Sequence, residues 1–256
     1  MDRATARRLT ALNRCFYRRF AAPFAATRGA PWPGWRRLVA RVRPPAEGGA
    51  LRVLDVGCGN GRFAAFCAAT FPFPVDYIGV DGSSAMLALA RERGGGLARA
   101  RWLRCTLGAD ADQRLPGGPF HLVVLLGVLH HLPGAAARRQ VLRAAAARLA
   151  PGGVLAFTLW RLFSMPRLAE RVVAWEEFNR SLRRPLDLRQ LEPGDVLLSF
   201  GGHKNAVRYC HGVSDGELAE WLGQLPPVID DYLADGASGD LNRYLLLGDL
   251  SAPRRS

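Results

Sequence analysis

Asp55 is followed at two-residue intervals by Gly57, Gly59 and Gly61 in the run Val53-Leu54-Asp55-Val56-Gly57-Cys58-Gly59-Asn60-Gly61-Arg62. Glycines so spaced let the backbone turn tightly and bring its N–H groups, those of Cys58 and Asn60 included, close to a ligand at the start of a helix. A dinucleotide loop would need a glycine at position 62, where this chain has arginine, so the spacing points away from NAD and FAD. The acid before the glycines suits a ligand with cationic amino and sulfonium centres and no pyrophosphate. A second acid, Asp81 in Ile78-Gly79-Val80-Asp81-Gly82-Ser83, is placed to accept both hydrogen bonds of a ribose diol, with Gly82 beside it. Asp110 is the candidate for an adenine amino group, Asp112 being an equal-looking neighbour, and Leu126 completes the cofactor set; a plain loop reading of these acids stays open.

Elements of alternating type must hold these residues. Strand-like segments 51–56, 75–80, 101–105, 120–126 and 154–159 alternate with helix-like segments 62–69, 84–93 and 135–149, the turn Pro151-Gly152-Gly153 preceding the fifth strand. Near-continuous apolar strands predict a doubly wound α/β fold with a mostly parallel seven-stranded sheet covered on both faces, and ligands of such sheets bind at the C-terminal strand ends. An amphipathic helix is predicted over 5–22, from Leu9, Leu12, Cys15, Phe16 and Phe20. Residues 1–45 then read as an N-terminal helical extension and 46–256 as the main domain. Its rhythm breaks over about 160–213, a polar insertion, before a helix at 215–222 and a closing strand at 241–247.

The D-x-G-x-G-x-G turn and the following ribose acid resemble the class I S-adenosylmethionine-dependent methyltransferases, which implies S-adenosyl-L-methionine as cofactor. Phe24-Ala25-Ala26-Thr27-Arg28-Gly29-Ala30-Pro31-Trp32-Pro33 resembles the F-S-x-T-R-x-x-P-W-P stretch of the tRNA wobble-uridine carboxymethyl methyltransferases, the family that includes the methyltransferase domain of an AlkB homologue. Phe120 through Val128-Leu129-His130-His131 and the segment Arg208-Tyr209-Cys210-His211 are similar to two further stretches of that family. His121, Leu125 and Cys210 depart from its pattern. The resemblance spans roughly Phe16 to Leu246 and implies methyl-ester formation on a tRNA side-chain carboxylate, with a small zinc-binding protein as activating partner. A small-molecule methyltransferase of the quinone or polyketide type, and a silent binding protein on the same fold, remain alternatives.

A carboxylate is already ionised at neutral pH, so its methylation needs alignment and exclusion of water rather than a base. Arg28 and Arg208 are the candidates for gripping the carboxylate or a phosphate, because a guanidinium fork binds either bidentately. His130, His131, Tyr209 and His211 would orient the base, and Trp32 or Tyr209 could stack on it. Each arginine could equally be a partner in a structural ion pair.

Composition bounds the rest. The 256 residues, 49% of them hydrophobic, suffice for one sizeable core with an elaboration. A net charge of +13, with Lys204 the only lysine, favours a polyanionic partner such as tRNA, although a biased genome would also enrich arginine. No apolar run approaches a membrane span, and the five cysteines form no C-x-x-C pair, so we expect a cytoplasmic protein without metal, membrane segment or disulfide framework.

Overall fold

The structure, a computed structural model of the chain, describes residues 1–45, 48–93, 96, 97, 99–201 and 203–249. Ten strands and nine α-helices are formed among them. In chain order they are α1 (Arg3–Ala26), α2 (Gly34–Val39), β1 (Leu51–Val56), α3 (Arg62–Thr70), β2 (Val75–Asp81), α4 (Ser84–Arg93), β3 (Arg99–Arg104), α5 (Ala111–Arg114), β4 (Phe120–Leu125) and α6 (Ala135–Ala146). There follow β5 (Leu149–Trp160), α7 (Pro166–Ala169), β6 (Val172–Val173), α8 (Trp175–Arg180), β7 (Asp195–Phe200), β8 (His203–His211), α9 (Asp215–Leu222), β9 (Val228–Ala234) and β10 (Asn242–Gly248).

Seven strands make the main sheet in the order β3-β2-β1-β4-β5-β10-β9. The first five run parallel, while β10 is antiparallel to both β5 and β9. Parity along β1 explains the two covered faces. Leu51 and Val53 pack with Trp35, Phe63 and Tyr77 on one side, and Leu54 and Val56 with Leu125, Leu142 and Trp221 on the other. The expected doubly wound α/β fold is therefore present.

Three elements differ from the sequence reading. The helix expected to end at Leu149 stops at Ala146, because Leu149 already pairs with Phe120 as the start of β5; the Pro151-Gly152-Gly153 turn lies inside that strand, where its register shifts. Strand β9 escaped the reading because Asp230 and Asp231 interrupt its apolar pattern. It is an outer strand of the sheet, and Arg37 of α2 and Arg41 just after it neutralise Asp230 while Arg243 pairs with Asp231. Helix α1 runs four residues past its expected end, over Pro23. It does so with a kink at Phe20 (φ −116°, ψ 19°), since a proline ring excludes the carbonyl one turn earlier.

The insertion is folded. β6, β7 and β8 form a separate antiparallel sheet, and α1 lies on it with Leu9 packed against Leu186, Leu197, Val207 and Tyr209. Asn13 fixes the junction: its side-chain amide donates to the carbonyls of His131 and Tyr209, and its oxygen accepts from Tyr209 N–H at 2.8 Å. Helix α1 and the insertion thus form one cap above the C-terminal edge of the main sheet, while α2 packs on the sheet's face. All five cysteines are unpaired, and no helix among the described residues is long and apolar enough to cross a membrane.

Candidate active site

Between sheet edge and cap lies a cavity of about 220 Å³, lined from below by the ends of β1 to β5 and from above by α1 and the loop after it. Its two ends differ in chemistry. At one end the glycine turn contributes Gly57, Cys58, Gly59 and Asn60, with Asp55 beneath it and Asp81, Gly82, Ser83, Thr106 and Leu107 alongside. Gly57, Gly59 and Gly61 all have positive φ, which explains the residue type at each. Their surroundings separate them further. A Cβ on Gly59 would meet nothing within 4 Å, whereas one on Gly61 would lie 2.9 Å from Trp102 and 3.1 Å from Ala90. Gly59 is open to a ligand; Gly61 does not line the cavity and is required for packing of the turn.

Asp81 holds this turn in shape. One of its carboxylate oxygens accepts from Gly59 N–H at 3.0 Å and the other from Ser83 N–H at 2.7 Å, and each oxygen keeps a lone pair for further donors. Asp55 is almost fully buried and accepts from the Tyr77 hydroxyl; burial pushes its carboxyl up to about 7. The Asn60 side-chain nitrogen is buried without a partner. Two acids with spare acceptor capacity, an orphaned amide donor and an open glycine face fit a ligand bearing an ammonium, a carboxylate and a ribose. Asp110, expected to meet adenine, is not in the cavity wall: it pairs with Arg114 at 2.5 Å, and Asp112 pairs with Arg148 at 2.5 Å. Thr106 and Leu107, at the end of β3, occupy the wall instead, with Leu126 at the end of β4.

A family model described as a methyltransferase domain matches residues 54–155, which run from the second half of β1 through the glycine turn to the middle of β5. A trans-aconitate 2-methyltransferase of Variovorax paradoxus is 30% identical over 239 residues, covering 86% of this chain and 85% of that protein. The chain belongs to the S-adenosylmethionine-dependent methyltransferases. A solved methyltransferase of this type from Methanosarcina mazei superposes with a TM-score of 0.60 at 16% identity, covering 86% of this chain and all of that one. The tRNA (carboxymethyluridine(34)-5-O)-methyltransferase of Mus musculus is 28% identical over 146 residues, covering 57% of this chain and 19% of that protein. Bound at the glycine-turn end, S-adenosylmethionine would supply an electrophilic methyl on a sulfonium, and Asp55, Asn60 and Asp81 are the side chains that would hold it.

At the other end of the methyltransferase cavity stand Tyr17, Arg28, His131 and Trp160. Tyr17 and His131 are hydrogen bonded at 2.8 Å, and the second ring nitrogen of His131 lies 3.2 Å from the Tyr209 carbonyl. Burial and the nearby Arg208 charge hold His131 at about 3, so its ring is neutral. Arg28 lies over the Phe24 ring at 3.5 Å and donates to Thr27 Oγ1; burial lowers it to about 10, still a cation at neutral pH. Trp32 lies against Gly127, with the Arg62 guanidinium over its ring at 5.0 Å, and so the Pro-Trp-Pro loop walls the cavity.

Four of the six residues expected to handle the acceptor are not in the cavity wall. His130 is buried and stacked on Trp160 at 4.0 Å, and Arg208 lies behind Phe16, Phe24 and Trp160. Tyr209 and His211 belong to a polar network under the cap. The Tyr209 hydroxyl donates to Asp195 at 2.6 Å, and His211 bridges Asp195 and Glu217, which Arg138 joins to Glu192. The reason is β alternation: in β8, residues 209 and 211 share a face that turns away from the cavity. The grouping of Glu192, Asp195 and His211 has metal-like spacing, but Arg138, Tyr209, Glu217 and the backbone N–H groups of Ala135 and Glu192 already occupy its donor atoms.

Tyr17, Trp160 and Thr106 were missed. For Tyr17 a signal existed, since Thr10, Asn13, Arg14 and Tyr17 form a polar stripe at helical spacing beside the apolar one, and all four line the cavity.

Proposed function

We propose that this methyltransferase acts on an acceptor carboxylate and forms a methyl ester. One observation carries the reading: among the described residues, the acceptor end is cationic and has no group poised as a base. Arg28 provides the charge, while His131, held at about 3 with its Nε2 engaged by the Tyr17 hydroxyl, is a weak base, and Tyr17, pushed far up by burial, keeps its own proton at neutral pH. A hydroxyl acceptor of the quinone or polyketide type would need such a base. A carboxylate arrives ionised, and the site has only to orient it in line with the methyl and exclude water. The acceptors in two relatives' names, trans-aconitate and a carboxymethyl group on uridine, are both carboxylates.

Between these we favour a small organic acid, because similarity to the trans-aconitate enzyme covers 86% of this chain and 85% of that protein, against 57% and 19% for the tRNA enzyme. A tRNA carboxymethyl group is the second reading, favoured by the net charge of +13 and by Arg3, Arg7, Arg14 and Arg18 along one exposed stripe of α1, where Arg14 reaches the cavity. A zinc-binding activator belongs to that second reading; full activity of the chain expressed alone would remove it. The deciding experiment offers labelled S-adenosylmethionine with trans-aconitate, or with total tRNA from a host lacking the gene. Alkali-labile label on either supports carboxylate methylation, and alkali-stable label alone counts against it. Steep loss of binding with salt marks the tRNA arm.

A further inference from the structure

Arg208 is 3% exposed, yet among the described residues no carboxylate pairs with it, and its Nε and Nη1 have no hydrogen-bond partner. Its guanidinium is set among aromatic rings, 5.2 Å from the centre of Phe16, 5.4 Å from Phe24 and 5.8 Å from Trp160. Around it the polar atoms are orphaned too: both ring nitrogens of His130, which stacks on Trp160, and Nε1 of Trp160 itself. Ring faces attract a cation but do not balance its charge. Arginine cannot escape the cost of burial by losing its proton, so a desolvated guanidinium without an anion is a standing destabilisation of the ligand-free fold. The contrast with Arg138 is direct, since that equally buried arginine has Glu192 at 2.7 Å and Glu217 at 2.8 Å.

Resting on the carboxylate reading above, we propose that Arg208 is the residue that selects an anionic acceptor: its charge, left unbalanced by the fold, takes the acceptor's carboxylate as counter-ion across the Trp160 wall of the cavity. Trp160 faces the cavity and Arg208 lies behind it, so the interaction acts through a low-dielectric ring rather than through water. The Arg208 charge is also felt by Tyr17, Arg28 and His131, the groups that surround the acceptor. Arg208 is in this sense a positioning and selecting residue. It touches neither methyl nor sulfur.

The test compares wild type with Arg208→Met, which keeps the length and apolar packing of the stem, and with Arg208→Lys, which keeps the charge. We expect Arg208→Met to unfold at the same or a higher temperature than wild type without acceptor, to bind S-adenosylmethionine unchanged, and to raise KM for trans-aconitate by about tenfold or more with a smaller change in kcat. Arg208→Lys recovers part of that KM. A purely structural Arg208 would give the reverse, a destabilised Arg208→Met with unaltered KM, and that result overturns the proposal. Calorimetry of trans-aconitate binding to the S-adenosylhomocysteine complex separates this inference from the reaction it rests on. Wild type that binds the acid without methylating it, with Arg208→Met binding weakly, overturns only the assigned reaction. Equal binding by the two overturns the role of Arg208, and no binding by either overturns both.

Discussion

The Tyr17 hydroxyl lies 2.8 Å from Nε2 of His131, joining the N-terminal helix to the turn that follows β4. Nδ1 of the same ring faces the Tyr209 carbonyl, which can only accept, so the proton sits on Nδ1 and Nε2 accepts from Tyr17. The pair orients and does not titrate: His131, held at about 3, stays neutral at every working pH. We expect kcat at saturating substrates to be flat from about pH 6 to about pH 9, and Tyr17→Phe to lower kcat/KM by about tenfold without adding pH dependence. A rate profile with a limb near 6.5 that vanishes in His131→Asn would contradict this.

Asp55 carries the opposite sign of prediction. With its carboxyl pushed up to about 7 by burial, the ligand-free protein holds it protonated below that pH, whereas the unfolded chain releases the proton near 3.8. This group's contribution therefore favours folding below about 3.8 and is lost as pH rises through 7. A bound cation reverses the balance by favouring the ionised form. S-adenosylmethionine affinity should tighten by up to about tenfold per pH unit between pH 6 and 7 and level off above. Asp55→Asn should raise the ligand-free melting temperature at pH 8 while weakening the cofactor about a hundredfold, both read by calorimetry.

The two ends of the cavity should separate by mutation. Asp81→Ala removes the acceptors of Gly59 N–H and Ser83 N–H together with the carboxylate expected to meet the ribose, so cofactor binding should fall beyond detection in a titration that still shows a folded protein. Arg28→Ala should keep the cofactor and lose turnover by about a hundredfold. Equal cofactor loss in both variants would place Arg28 on the cofactor instead.

His211, bonded to Asp195 at 2.7 Å and Glu217 at 2.8 Å, is held above its ordinary value although burial opposes the charge. Its stabilising contribution is complete below 6.5 and fades as pH rises through the higher folded value. His211→Ala should cost about 3 kcal/mol at pH 6, because it leaves two carboxylates short of a buried partner. The loss should be smaller at pH 9. Hydrogen exchange should speed up first in β7 and β8.

Asp55, Gly57, Gly59 and Asp81 were legible in the sequence because each acts through local geometry: a strand end, a positive φ, a helix start. The same locality made β1 to β5 readable. By contrast, β9 was hidden by two acids: Arg243 of the next strand pairs with Asp231, but the arginines that neutralise Asp230, Arg37 and Arg41, sit some 190 residues away in and just after α2, a pairing that no window along the chain contains.

The acceptor end shows the limit most clearly. Residue type alone could mark Arg28, Arg208, His130, His131, Tyr209 and His211 as chemically able, and that much the sequence determined, along with the cofactor turn. Which of them face the cavity was decided by the seating of α1 on the second sheet through Asn13, which brings Tyr17 to His131 and turns Tyr209 and His211 into the cap's own polar network. Side-chain direction along a strand is local, but which of its two faces meets the cavity depends on what packs there, and that packing exists only in three dimensions.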